Sequence, residues 1–389
     1  MKRILWIGAA MCALAVWCQA TWALEGVKPY QINNRLRLEW DDNVYQSESE
    51  KVDSVKIIEE VELLLNVRLE QSFLSLRYRP SFVWWDNREP DDTDLQHELD
   101  VIANHAFSPR LALSLVDTFR RGELPELVDR DVLVREEDDF IYNTANGTLS
   151  YLLQPATRLD VAGRYVLLRY DRDETADVSD FDLLVGGLTL RHQLKRQTAV
   201  MADLRVEDIA YEGPDRDAQT YSVGGGVEQV FSPNLIALVT AGYQNKEFDA
   251  DALGSDSSPY ADLSLTFLPT PATRLAVGGG YSLYETDVYP FANQTRTRLY
   301  ASLAHDFTAR IALYLSGAYT LGEYDSQDAV ESVEQGDGEE EIVQVSARAT
   351  YKLNRSNWLE AGWQYIDLSS DYRVPYERNR ISVGWKTQF

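Results

Sequence analysis

The feature that most constrains this chain is a repeat of short turn signals. They occur as Leu69-Glu70-Gln71-Ser72, Phe107-Ser108-Pro109-Arg110, Gln154-Pro155-Ala156-Thr157-Arg158 and Leu194-Lys195-Arg196-Gln197. They continue as Phe231-Ser232-Pro233-Asn234, Pro269-Thr270-Pro271-Ala272-Thr273-Arg274, Phe307-Thr308-Ala309-Arg310 and Leu353-Asn354-Arg355-Ser356. Centred at residues 70, 108, 155, 194, 232, 270, 308 and 354, they lie 38, 47, 39, 38, 38, 38 and 46 residues apart. A fixed period means one structural unit repeated. Each unit holds two runs that alternate apolar and polar residues. After the first turn, Leu74, Leu76, Tyr78, Phe82 and Trp84 alternate with Ser75, Arg77, Arg79 and Val83. Before it, Val55, Ile57, Val61, Leu63, Leu65, Val67 and Leu69 alternate with Lys56, Glu60, Glu62, Asn66 and Arg68, with Glu59 and Leu64 on the wrong parities. Such alternation marks strands with one apolar face. A propeller blade would fit four short strands into a unit of about 40–45 residues. Two strands per unit instead match the roughly 9–11 tilted residues that a bilayer demands.

The two strand ends differ. One end carries the tight turns; the other opens into longer acidic loops, the longest at about Arg121–Asp138 and Gly322–Glu341. This is the asymmetry of an outer-membrane barrel, with short periplasmic turns and long extracellular loops. A first strand near Ile32–Tyr45, eight hairpins and a last strand near Arg378–Phe389 give about 18 strands, so both ends fall on the periplasmic side. The expected fold is all-β: a transmembrane antiparallel up-and-down β-barrel. Mean hydropathy is −0.33. That excludes a bundle of spanning helices but not a barrel, whose alternating strands hide from hydropathy plots.

Lys2 and Arg3 precede an apolar stretch from Ile4 to Trp17, and small residues surround Ala20 and Ala23. This reads as a secretory signal cut after Ala23, with Ala20 as the second choice. The expected organisation is a signal peptide at 1–23 and a single barrel domain at 24–389. A lipoprotein reading would modify Cys18, but bulky Trp17 fits poorly before such a site. Both cysteines, Cys12 and Cys18, fall in the removed segment, leaving no thiol, disulfide or thiolate metal site. The 62 acids against 37 bases give a formal charge of −25, which argues against a nucleic-acid partner.

Face composition separates a barrel from a soluble sandwich. On the last strand Ile381, Val383, Trp385, Thr387 and Phe389 share one face, and Arg380, Ser382, Gly384 and Lys386 the other. The polar parity also carries Arg35, Arg37, Arg68, Arg77, Arg79, Arg164, Arg205, Arg296, Arg298 and Arg348. So many charges suit a wet lumen. Trp84 and Trp85 at the loop end, and Phe107, Phe231, Phe267 and Phe307 before turns, read as two interfacial girdles. The terminal Phe389, with Trp385, Val383 and Ile381 stepping back along one face, resembles the assembly signal read by the barrel-assembly machinery.

The starts Ser108–Leu111, Pro155–Leu159, Pro271–Leu275 and Thr308–Ile311, with the strands Gly278–Tyr281 and Ala241–Tyr243, resemble those of the β-barrel porin type 2 family. The resemblance implies a Gram-negative outer-membrane barrel. By analogy it also implies transport, including exopolysaccharide or capsule export with export components as partners. These motifs specify turns and packing, not a substrate.

A barrel of about 18 strands has room for an aqueous channel. Passage of polar solutes is therefore the expected function, with the two long loops as candidate constrictions. Glu39, Glu60, Glu62, Glu98, Asp100, Asp160, Asp203, Glu228, Asp262 and Glu360 roughly match the lumen arginines in number, which leaves ion preference open. Arg110, Arg158, Arg274 and Arg310 open strands after turns. They form either a periplasmic collar for an anionic solute or snorkelling anchors to lipid phosphates. The segment Glu323–Glu341 carries nine acids and no base. It reads as a solvated loop, or as a divalent-cation bridge to lipopolysaccharide.

Catalysis finds little support. His105, His192 and His305 precede turns at similar points of different repeats, and Ser302 has the opposite strand parity to His305, which spoils a nucleophile–base pair. Gly224-Gly225-Gly226 lies inside a strand and is no phosphate cradle. No cofactor is expected. The alternative reading is a structural or adhesive barrel with a filled lumen and ligand-binding acidic loops. N-terminal sequencing of the exported protein should start at Leu24; a start at Met1 would refute the leader.

Overall fold

The computed structural model describes residues 29–89, 92–122, 138–213, 216–250, 253–330 and 336–389, and the backbone of 127–128 and 133–134. The leader 1–23, most of the loop 121–138, and Glu331 and Glu334 lie outside the described residues.

Eighteen strands form one sheet. The first half comprises β1 (Tyr30–Asp41), β2 (Ser54–Arg68), β3 (Ser72–Trp85), β4 (Thr93–Ser108), β5 (Leu111–Gly122), β6 (Phe140–Gln154), β7 (Thr157–Tyr170), β8 (Phe181–Lys195) and β9 (Thr198–Tyr211). The second comprises β10 (Ala218–Ser232), β11 (Leu235–Phe248), β12 (Ser255–Thr270), β13 (Thr273–Tyr284), β14 (Gln294–Asp306), β15 (Ile311–Tyr324), β16 (Gly338–Lys352), β17 (Asn357–Ser370) and β18 (Tyr376–Gln388). Each strand pairs antiparallel with its chain neighbours, and β1 pairs with β18 from Asn33↔Gln388 to Asp41↔Arg380. The sheet is a closed up-and-down barrel. Closure gives every strand two partners, which a sheet in hydrocarbon requires.

All eight expected tight turns fall between consecutive strands. The first strand is shorter than expected, ending at Asp41 rather than Tyr45. The chain then turns inward, and Val44 packs against Ile58, Val83 and Trp85. A short helix, α1 (Asp173–Ser179), links β7 to β8 where the sequence suggested only loop.

The apolar parity faces outward. Leu36, Leu38, Leu188, Leu204, Val223, Val277, Leu299, Ile381 and Val383 are all exposed, as lipid-facing residues of an isolated barrel must be. Trp84 and Trp85 divide, because adjacent strand residues point to opposite faces. Trp84 stands outward, whereas Trp85 is 1% exposed on the inner face and carries the Arg88 guanidinium 4.7 Å above its ring. Of these two tryptophans, only Trp84 therefore stands on the outer face that a girdle residue needs.

Glycines inside strands make room for inward aromatics. A Cβ at Gly224 or Gly242 would collide with the Tyr260 ring, and one at Gly278 with Tyr300. Gly224–Gly226 is thus a seat for a side chain.

The outer end of the closing seam holds a buried ion cluster. Asp41, fully buried, accepts from Arg378 Nε and Nη2 at 2.9 and 2.6 Å and lies 2.8 Å from Lys56 Nζ. Arg380 Nε stands 3.5 Å from the same carboxylate, and Lys56 reaches Glu39 at 3.4 Å. Removing one member of a buried pair strands the other's charge at a cost of about 3–5 kcal/mol. Asp41→Leu should therefore destabilise the barrel by about that much, read as the urea midpoint of refolded protein. Asp41→Leu/Arg378→Met should recover part of the loss; equal stability of wild type and Asp41→Leu would refute the assignment.

Asp180, next to α1, is nearly buried, and its carboxylate accepts the Tyr170 backbone N–H at 2.8 Å. Burial pushes its pKa up to about 6. A carboxyl raised in the folded state stabilises most at low pH, and that contribution fades as pH rises through the folded value. Hydrogen exchange of residues 172–180, corrected for intrinsic rates, should show more protection at pH 5 than at pH 7. In Asp180→Asn this difference should vanish.

Candidate functional site

The site is the inner wall. Strand parity places all ten candidate lumen arginines on the face opposite the exposed apolar residues, but their surroundings differ. Arg35 pairs with Glu360 at 2.5 Å, and Arg37 stands 3.9 Å from Glu39. Arg77 binds Asp100 through Nε at 2.7 Å, and Arg79 pairs with Glu98. Arg205 meets Glu207 at 2.9 Å, and Arg164 Nε lies 3.5 Å from Thr144 Oγ1. Arg68 lies 5.5 Å from the Phe73 ring near the turn end. Arg296 is almost fully buried and stacks 3.5 Å over Tyr284, so it faces protein rather than open lumen. Arg298 is half-buried, and Arg348 is exposed beside a 130 Å³ cavity shared with Arg35 and Glu360.

Five of these ten, Arg35, Arg37, Arg68, Arg77 and Arg79, lie on β1–β3, and the other five on β7, β9, β14 and β16. A 350 Å³ cavity lies against the outer half of β1–β5. Arg35, Arg37, Lys56, Arg79, Arg120, Arg121 and Arg380 line it, against the acids Glu39, Glu60 and Glu98. Seven cations thus face three carboxylates on the cavity lining, while Arg35 also pairs with Glu360, and Lys56 and Arg380 with Asp41, just beyond it. The buried Nε atoms of Arg35, Arg37 and Arg120 make no hydrogen bond.

The adjoining arc of the outer mouth, β6–β11, is packed. Lumen-parity Phe140, Tyr142, Val166, Leu168, Phe181, Leu183, Ile209 and Tyr211 form an apolar layer with Phe248, Leu253 and Ala292. Over it folds the short loop 285–293. Lys246 Nζ holds Glu285 at 2.6 Å, and Tyr211 donates to the same carboxylate at 3.1 Å. Arg216 donates to the Phe291 carbonyl at 3.2 Å and lies 4.1 Å above the Tyr211 ring. Phe291 packs against Tyr324 and Tyr372 at 5.1 and 4.6 Å. The long loop after β15 lies upon this segment, with Val330 N–H donating to the Pro290 carbonyl at 3.0 Å. Among the described residues, the short loop 285–293 thus folds over the apolar layer with part of one expected long loop, Gly322–Glu341, upon it, while most of the other, Arg121–Asp138, lies outside the described residues. An apolar run, Val288-Tyr289-Pro290-Phe291-Ala292, was the available sequence signal.

At the turn end, Arg158 and Arg274 have inward parity, while Arg110 and Arg310 sit within the turns themselves. Arg158 is neutralised by Asp160 at 2.8 Å. Of the assembly-signal residues, Ile381, Val383 and Trp385 are exposed on the outer face. Phe389 is 69% exposed, and its backbone N–H donates to the Ile32 carbonyl at 2.9 Å. Among the described residues, no group of three or more His, Cys, Asp and Glu could hold a metal ion. Ser302 and His305 stand on opposite faces of β14.

Comparison with known proteins matches this geometry. No curated protein sequence matches the chain. Among solved structures, OpdK of Pseudomonas aeruginosa, crystallised with vanillate, superposes with a TM-score of 0.52 at 12% identity, covering 92% of this chain and 99% of that one. OccK2 (OpdF) of Pseudomonas aeruginosa, in complex with glucuronate, gives 0.52 at 10% identity, covering 92% and 98%. OccAB3 of Acinetobacter baumannii gives 0.50 at 13% identity, covering 93% and 100%. At such identities the likeness is one of fold. Neither these structures nor the family description supports exopolysaccharide export, which rested on analogy alone. The family described as "Putative beta-barrel porin 2" matches residues 161–389, more than half of the sequence. Its members are porins of the Gram-negative outer membrane, which are channels rather than enzymes, and this chain, a closed 18-stranded barrel, belongs to that family.

Proposed function

We propose that the barrel is an aqueous channel for small polar solutes and that it favours those bearing a carboxylate or another anionic group. The carrying observation is the 350 Å³ cavity beside β1–β5, whose lining carries seven basic side chains and three carboxylates. Rings of basic side chains in a narrow pore select for anions, because the local field outweighs the charge of the distant surface. The solutes seen with two similar barrels, vanillate and glucuronate, both carry carboxylates, which agrees in chemistry with an arginine-lined wall. Arg274 at the turn end, of inward parity, would extend the basic path toward the periplasm, with Arg158 damped by Asp160.

A second reading, the structural or adhesive barrel with a filled lumen, draws support from the packed loop 285–293 over the apolar layer. Conductance separates the two, since a filled lumen passes no current.

In planar bilayers under a tenfold KCl gradient, the protein should conduct, with a reversal potential of anion preference. Arg37→Gln/Arg79→Gln/Arg120→Gln should conduct still but shift that potential toward cation preference. Liposome swelling should be several-fold faster in glucuronate than in glucose. Absence of conductance would favour the filled barrel. An unchanged reversal potential in the triple variant would sink the arginine wall as selector. The same measurement on Arg110→Gln/Arg158→Gln/Arg274→Gln/Arg310→Gln tests the collar.

A further inference from the structure

We propose that three hydrogen-bonded histidine pairs on the membrane-facing surface, at the turn end of the barrel, bind the phosphate headgroups of phospholipids in the periplasmic leaflet. The proposal concerns the outside of the wall and stands whether or not the lumen conducts.

His105 on β4, His192 on β8 and His305 on β14 occupy the same place in three repeats. Each lies two residues before an exposed apolar residue of the same face: Phe107, Leu194 and Phe307. Each is directly opposed to a hydroxyl residue that opens the adjacent strand: Ser72, Thr157 and Thr273. The hydroxyl-to-Nδ1 distances are 2.7, 2.8 and 2.9 Å. The rings of His105 and His305 meet Phe107 and Phe307 edge-on, with centroids 4.5 and 4.6 Å apart. Pairing and stacking together fix the imidazole plane.

A neutral imidazole has one donor and one acceptor nitrogen. A hydroxyl that donates to Nδ1 keeps the ring proton on Nε2, which has no hydrogen-bond partner among the described residues. Assigning the hydroxyl as the donor to Nδ1, the arrangement that a phosphate oxygen selects, each pair presents one N–H donor at the membrane interface. Four or five residues further on, the turn supplies an exposed guanidinium: Arg110, Arg196 and Arg310. An oriented N–H donor with a nearby cation, beside an apolar anchor, matches a phosphodiester attached to acyl chains.

The barrel carries its own control. On β9 and β10 the equivalent cross-strand bond runs from Thr198 Oγ1 to Gln229 Oε1 at 2.7 Å. There the side-chain amide of Gln229 donates to the Val230 carbonyl at 3.2 Å, and the turn carries Asn234 in place of an arginine. The strand pairing survives without an outward donor or a cation. Pairing alone thus does not require histidine.

The test compares wild type with His105→Gln/His192→Gln/His305→Gln, which keeps the cross-strand bond in the manner of Gln229. Native mass spectrometry from detergent, with added dioleoylphosphatidylglycerol, should show wild type retaining up to three lipids, and the variant about tenfold weaker retention. Digalactosyldiacylglycerol, which lacks phosphate, should bind both proteins equally and weakly. Heat-modifiable gel migration checks that the variant is folded; should it fail, single His192→Gln should lose one retained lipid. Arg110→Gln/Arg196→Gln/Arg310→Gln, which leaves the strands intact, should also weaken retention. Equal phosphatidylglycerol retention by wild type and the histidine variant would overturn the proposal. So would displacement of the lipid by millimolar inorganic phosphate, which would indicate a site for free anions.

Discussion

A backbone in hydrocarbon has no water to satisfy its amides and carbonyls, so a sheet that crosses a membrane must close upon itself. Everything else in this protein follows from that closure. It makes the strand parity absolute: one side chain in two meets lipid and the next meets the interior. It joins β1 to β18. It also gathers many charged residues of the 18 strands into one shared interior, where arginines and carboxylates neutralise each other in pairs such as Arg35–Glu360 and Arg77–Asp100.

The barrel was legible in the sequence because its signals are local and repeated. Parity is set by the pleat, so the faces of Ile381, Val383 and Trp385 and of Arg35 and Arg37 could be read without three-dimensional knowledge. Turn chemistry fixed all eight junctions. The misreadings occurred where tertiary packing overrode the local pattern. Asn43 to Tyr45 read as continuing strand, yet Val44 leaves the sheet because an apolar recess formed by Ile58, Val83 and Trp85 lies within reach. Trp85 read as girdle beside Trp84, although neighbouring residues cannot share a face.

The candidate site was legible only as an inventory. Counting lumen arginines and acids suggested balance, because a count carries no position. The structure separates them. Cations crowd β1–β5, while the outer ends of β6–β11 carry an apolar layer roofed by residues 285–293. Long-range partners such as Lys246 with Glu285, or Arg216 with the Phe291 carbonyl, join segments that no periodicity links. The result is a mouth with one side rich in charge and one apolar side.

The ion cluster at the closing seam has a consequence for biogenesis. Asp41 comes from the first strand of the barrel and Arg378 from the last, so their charges meet only when both ends of the sheet have arrived in register. A chain stalled before β18, or zipped one residue out of step, would leave the Asp41 carboxylate facing Lys56 alone. The electrostatics thus act as a proofreading lock, rewarding the finished cylinder and penalising a partial one.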